Sequence, residues 1–240
     1  MIQIDGVSRT FAGRRGGDPV EALRGLSLTV ATDETVAVVG ASGCGKTTLL
    51  ELICGLQRPD AGSVLSPPAA LMPQRDLLLP WLSALDNAGL ALRVAGFARQ
   101  RARDQVQPWF ERFGLSGFEQ ARPYELSGGM RQRVAFLRTL LAGKPVLALD
   151  EPFAALDAIT RAEMQGWLSR ALAEEQRTVV LVTHDVEEAA LLGDRVLVLS
   201  PRPGRVVADL AVDVRRPRQR TDPAVVELRA RALTALGVPA

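Results

Sequence analysis

Histidine and tyrosine occur once each in these 240 residues, and cysteine and lysine twice each. The two cysteines, Cys44 and Cys54, have no CxxC spacing and no histidine beside them. That argues against a zinc-type cluster or a disulfide framework and fits a reducing compartment. Long apolar runs are also missing. The longest uncharged stretch, Ala61–Gln74, contains three prolines and falls short of the roughly 20 residues of a membrane span. Met1 leads straight into an alternating, strand-like run, so no signal peptide is expected. Neither sign of charge dominates; a net charge of +2 argues for neither nucleic acid nor a lipid surface. The expected location is the cytoplasm, with membrane association only through a partner.

What is present is a soluble globular composition, 47% hydrophobic and 23% charged, long enough for one domain with a subdomain. One stretch stands out. Val36, Ala37, Val38 and Val39 form a short apolar run into Gly40, followed by Gly43, Gly45, Lys46 and Thr47, then helix-compatible Leu49, Leu50, Leu52 and Ile53. This is G-x-x-x-x-G-K-[ST] between a strand and a helix. Its glycines let successive N–H groups turn inward on phosphate oxygens, and the helix start adds its positive dipole end. Lys46 can then reach the β- and γ-phosphates, and the Thr47 hydroxyl can ligate Mg²⁺. A chain that uses arginine at 27 of its 29 basic positions still places a lysine here, where a compact ammonium suits the task.

Val146–Pro152 reads VLALDEP. Four apolar residues mark a buried strand, and two carboxylates emerge at its end. Asp150 is expected to orient Mg²⁺ and its water, and Glu151 to activate or position the attacking water. Leu126–Arg133 reads LSGGMRQR, in which Ser127, Gly128 and Gly129 open a helix and offer a second anion nest. A second phosphate site for one nucleotide suggests that two chains contact each nucleotide.

Along the chain, strands are expected at Ile2–Val7 and Ala22–Val30, with a Gly-rich turn at Arg14–Pro19 between them. Brief strands follow within Ser63–Met72, then helix from about Trp81 to Ser116 and over Gly128–Leu141. Strand and helix then alternate from Val146 to Ser200, ending in a Pro-Gly turn, a strand Val206–Ala211 and a helix Ala224–Leu236. The pattern predicts an α/β fold with a mainly parallel sheet, ligands at the strand carboxyl ends, and a helical insert. Arg215–Arg220 is read as a solvated connector.

Together these motifs resemble the ATP-binding subunits of ABC transporters. GASGCGKT (40–47) is similar to Walker A, Gln74 to the Q-loop, LSGGM (126–130) to the signature, VLALDEP (146–152) to Walker B, Ala154–Asp157 to the D-loop, and His184 to the switch histidine. The resemblance implies a P-loop NTPase with a RecA-like core over about 1–76 and 142–240, a small antiparallel β-subdomain and a helical subdomain over about 77–141. ATP and Mg²⁺ would be its cofactors. Gly40, Ala41, Ser42, Gly43, Cys44, Gly45, Lys46, Thr47 and Thr48 would bind the nucleotide, and Phe11 would stack on adenine. Thr47, Gln74 and Asp150 would serve the metal, and Glu151, His184 and Gln74 the hydrolysis. Ser127, Gly128 and Gly129 would reach a partner copy's γ-phosphate in a head-to-tail dimer.

Two further positions refine the resemblance. Met130 stands where many members carry glutamine, as often in importers of the nitrate, sulfonate and taurine group, which also includes importers of thiamine pyrimidine precursors. The stretch Leu77–Asn87 (LLLPWLSALDN) resembles that group as well, and Trp81 and Leu82 lie where the family receives a membrane permease. A solute-binding protein would act through that permease. Ala155 replaces the common D-loop serine, removing the hydroxyl of a cross-dimer hydrogen bond, and the short Gly62–Gln74 segment implies a trimmed β-subdomain. The rival reading is a soluble ABC-type regulator or assembly factor, although such proteins usually carry tandem units and this chain carries one.

Overall fold

A computed structural model describes residues 1–13, 17–154, 156–174, 177–216 and 218–237. Part of the expected turn at Arg14–Pro19 and the D-loop residue Ala155 lie outside the described residues. Two sheets organise the chain. Strands β1 (Ile2–Phe11), β2 (Val20–Val30) and, later, β4 (Ala61–Leu65) form an antiparallel sheet in the order β2-β1-β4. The larger sheet has the order β5-β6-β7-β3-β8-β9, from β3 (Thr35–Val39), β5 (Ala69–Met72), β6 (Val146–Asp150), β7 (Thr178–Thr183), β8 (Arg195–Leu199) and β9 (Val206–Ala211). Its first five strands in that order run parallel, and β9 pairs antiparallel with β8. The expected α/β class with a mainly parallel sheet is what the chain adopts.

Every residue of β3, β6 and β7 is buried, because layers cover both faces of the sheet. Alternation decides which layer each side chain joins. Val36 and Val38 share a core with Val146, Val180 and Val182, with Leu49, Leu50 and Ile53 of helix α1 (Lys46–Ile53), and with Ile2, Ile4 and Leu26 of the antiparallel sheet. Ala37 and Val39 join the opposite layer, with helices α5 (Gly128–Leu140), α6 (Ala158–Glu174), α7 (Val186–Leu192) and α8 (Pro223–Ala235). Each fully buried Leu or Val contributes about 1.5–3 kcal/mol.

The helical region between β5 and β6 departs from the continuous pattern expected over Trp81–Ser116. It divides into α2 (Ala84–Ala88), α3 (Leu90–Val94) and α4 (Arg99–Arg112). Ser83 caps α2 by accepting from Asp86 N at 3.2 Å, and buried Asn87 exchanges bonds with the Leu79 backbone, accepting from N at 2.8 Å and donating to O at 3.1 Å. Gly96, at φ +93°, ends α3 in a conformation that other residues rarely take. Asp86 then receives both Arg99 and Arg103, at 2.5 and 2.7 Å, and their guanidinium groups hold its carboxyl well below the usual carboxylate range. Trp109, Phe113, Phe136 and Trp167 form a ring cluster that seats α4 on α5 and α6.

The arginine run is only in part the solvated connector expected. Arg218 is buried, and its Nη1 donates to the carbonyls of Ala190 at 2.9 Å and Gly193 at 2.5 Å. Arg216 donates to the Leu192 carbonyl at 3.2 Å and to Asp194 Oδ2 at 3.0 Å. These side chains satisfy the free carbonyls at the C-terminus of α7, where a cation is also favoured by the helix dipole. Arg216 and Arg218 thus clamp a helix end, whereas Arg215, Gln219 and Arg220 are exposed, as expected of a solvated connector.

Candidate functional site

Strand register brings the site together. Val39 of β3 pairs with Thr183 of β7, and Val182 of β7 pairs with Asp150 of β6. The next residues, Gly40, His184 and Glu151, therefore leave adjacent strands at one end of the sheet. This is the carboxyl end, where open α/β sheets bind ligands.

The phosphate loop is shaped by glycine where the chain requires it. Gly45 has φ +107°, and a Cβ there would meet Leu23 Cδ2 at 2.6 Å and the Ala22 carbonyl at 2.7 Å. Lys46 opens α1 with only 5% of its side chain exposed, and Nζ donates to the Gly40 carbonyl at 2.8 Å and the Ala41 carbonyl at 3.3 Å. Its ammonium also lies 3.5 Å from Glu151 Oε1. Cys44 faces the core rather than the cleft, and burial pushes its thiol up.

Thr47 Oγ1 donates to Asp150 Oδ2 at 2.9 Å, across the gap between β6 and the loop. Asp150 is buried, and loss of water raises its carboxyl above the ordinary range more than the Thr47 hydrogen bond lowers it. Glu151 sits at φ +43°, an uncommon conformation for a side chain that is not glycine, secured by its N–H donating to the Val182 carbonyl at 2.9 Å. That turn aims the carboxylate into the cleft. Its Oε2 stands 3.0 Å from His184 Nδ1 and accepts from Gln74 Nε2 at 3.4 Å.

Phe11, Val20 and Ala22 line the resulting cavity of about 330 Å³ together with Ser42, Gly43, Gly45, Lys46, Thr47, Thr48, Gln74, Asp150, Glu151 and Arg202. The Arg9 guanidinium rests 4.9 Å from the centre of the Phe11 ring. Phe11, Gln74, Asp150, Glu151 and His184 thus gather around the phosphate loop. Ser127, Gly128 and Gly129 do not join the lining. Ser127 instead caps α5, accepting from Met130 N at 3.2 Å, and side chains at Gly128 or Gly129 would press on Leu156 and Thr160. Asp157 caps α6 by accepting from Thr160 N at 3.1 Å.

Two contacts escaped the sequence reading. Arg202, in what reads only as a Pro-Gly turn, lines the cavity, and its Nε donates to the Gly43 carbonyl at 3.0 Å. Asp76, just past Gln74, accepts from Arg131 Nε at 3.1 Å, tying that loop to α5. Charge of opposite sign at 76 and 131 was the available signal, but their separation in sequence hid it.

Comparison with known proteins resolves which phosphate-loop family this is. The sequence model of the family described as ABC transporter matches residues 23–154. The chain belongs to the ABC transporter family. As an ABC ATPase it binds and hydrolyses ATP. It is 45% identical to the formylaminopyrimidine import ATP-binding protein ThiZ of Halalkalibacterium halodurans, over 82% of this chain and 81% of the relative. Identity to the taurine import ATP-binding protein TauB of Burkholderia thailandensis is 44%, covering 88% and 84%. The aliphatic sulfonates import ATP-binding protein SsuB 1 of Pseudomonas syringae is 44% identical, covering 98% and 96%. Among solved structures, a dimeric ATP-binding cassette in a post-hydrolysis state with ADP and Pi matches with a TM-score of 0.76 at 28% identity, over 90% of this chain and all of that one. Among the described residues, no helix of this ABC ATPase is long and apolar enough to cross a membrane.

Proposed function

We propose that this ABC ATPase powers an importer of a small solute, docking on the cytoplasmic face of a separate membrane permease that receives its cargo from a solute-binding protein. The named relatives support the importer class, and the cargoes in their names point to a sulfonate- or taurine-like anion or a formylaminopyrimidine-like pyrimidine precursor; a nitrate-like anion rests on the sequence resemblance alone. The observation that carries the reading is the convergence of Lys46, Gln74 and His184 on the Glu151 carboxylate at the mouth of the phosphate loop.

In this reading Gly40–Thr48 cradle the triphosphate and Phe11 stacks on adenine. Two copies pair head to tail, so that Ser127, Gly128 and Gly129 of one close over the γ-phosphate held by the other; their absence from their own chain's cleft supports this. The residues present fit Mg²⁺: a hydroxyl and a buried carboxylate, both hard oxygen donors, meet at 2.9 Å. Thr47 and Asp150 would hold the ion and Gln74 would face its water; when bound, it neutralises phosphate charge.

Glu151 draws a proton from the water whose oxygen attacks the γ-phosphorus. The bond to the β-bridging oxygen breaks, giving ADP and inorganic phosphate. Lys46 and the loop N–H groups stabilise charge on the transferring oxygens, and His184 fixes the Glu151 carboxylate. The core spans about 1–76 and 142–240, and the helical subdomain 77–141 presents Trp81, 68% exposed, and half-buried Leu82 to the permease.

The test is recovery of partners from detergent-solubilised membranes with tagged Glu151→Gln protein and ATP. Co-purification of an integral membrane protein is expected. Recovery of soluble partners alone would contradict the importer.

A further inference from the structure

The connection between β8 and β9, residues 200–205, does more than reverse the chain. Ser200 N donates to the Arg205 carbonyl at 2.9 Å, and Arg205 N returns to Ser200 Oγ at 3.1 Å, which fixes its shape. Gly204 then fastens it to the antiparallel sheet. Its N–H donates to the Ala22 carbonyl at 2.9 Å, and its carbonyl accepts from Arg24 N at 3.2 Å. A Cβ at Gly204 would stand 2.2 Å from the Cys44 carbonyl, so only glycine lets the turn lie this close to the phosphate loop.

From that anchored turn Arg202 extends over Gly43. Its Nε is spent on the Gly43 carbonyl at 3.0 Å, and Nη2 passes within 2.8 Å of where a Cβ on Gly43 would be. The side chain is exposed and borders the same cavity as Lys46 and Thr47. Among the described residues no carboxylate pairs with it. Lys46, by contrast, is shared between two loop carbonyls and Glu151. A guanidinium held by one edge, with its other donors free at the rim of a phosphate cleft, has the geometry for a charge-assisted bond to a phosphate oxygen.

We infer that Arg202 is a second cationic ligand of the nucleotide, donating to its phosphate chain from beside Gly43. This rests on ATP binding in the cleft described above. It adds a contact from the β8–β9 turn that the phosphate-loop motif does not contain.

Arg202→Gln separates this from a purely supporting role. Glutamine Nε2 occupies the same place along the side chain as arginine Nε, so it can keep the Gly43 bond while losing the charge and the terminal donors. Arg202→Lys keeps the charge. Fluorescent ATP and ADP analogues would be titrated at one salt concentration, with thermal unfolding of the nucleotide-free proteins alongside. The expected result is about tenfold weaker binding of both nucleotides for Arg202→Gln, the size of one charged hydrogen bond, a smaller loss for Arg202→Lys, and an unchanged nucleotide-free Tm. Wild-type affinity in Arg202→Gln, equal losses in both variants, or a fall in nucleotide-free Tm that tracks the affinity would each overturn the inference. Lys46→Ala serves as the reference: if it binds ATP as well as wild type, the cleft itself is misassigned, a failure distinct from that of Arg202.

Discussion

Glu151 Oε2 and His184 Nδ1 stand 3.0 Å apart although 33 positions separate them, because β6 and β7 run in register and end together. The histidine side chain is 54% exposed and the carboxylate 17%, so the pair spans the boundary between solvent and cleft. His184→Ala should leave ATP affinity within about threefold of wild type while lowering steady-state hydrolysis on the order of 100-fold, the scale of losing one preorganised contact. Hydrolysis at the wild-type rate would remove His184 from the mechanism.

Asp150 gives a pH-dependent prediction. Its carboxyl is raised in the folded protein, so its effect on stability is most favourable below the unfolded pKa of about 3.9 and is lost as pH rises through the higher folded value. Asp150→Asn removes that buried charge. It should raise the nucleotide-free Tm at pH 7, with the gain vanishing near pH 4, and it should abolish Mg²⁺-dependent hydrolysis. Thermal unfolding across pH checks the first part, and hydrolysis with and without Mg²⁺ checks the second.

Arg218 tests the clamp on α7. Replacement by alanine leaves the carbonyls of Ala190 and Gly193 buried without this donor. A loss of about 2–4 kcal/mol is expected, which in a chain of this size lowers Tm by roughly 4–16 °C. A calorimetric Tm within a degree of wild type would show the connector to be dispensable.

The parts of this molecule that were legible in the sequence are those whose meaning is local. Val36–Thr47 reads correctly because strand, loop and helix follow one another within a single motif. VLALDEP reads correctly because burial on both faces demands an unbroken apolar run before the carboxylates. The breaks in the helical region are harder, since they depend on Asn87 turning back to Leu79 and on Asp86 gathering Arg99 and Arg103. Arg218 and Arg202 were opaque for the same reason carried further. Their acceptors at Ala190 and Gly43 lie 28 and 159 positions away, and no periodicity or composition encodes such a pairing.

The central claim is that Glu151 activates the water that cleaves ATP. It is tested most directly by single-turnover hydrolysis and ATP binding measured together on Glu151→Gln, which keeps the shape of the side chain and removes its basicity. The account predicts ATP affinity within about threefold of wild type and a hydrolysis rate lower by about 10²–10⁴-fold, the range for loss of a general base. Hydrolysis within a few-fold of wild type by ATP-loaded Glu151→Gln protein would contradict it.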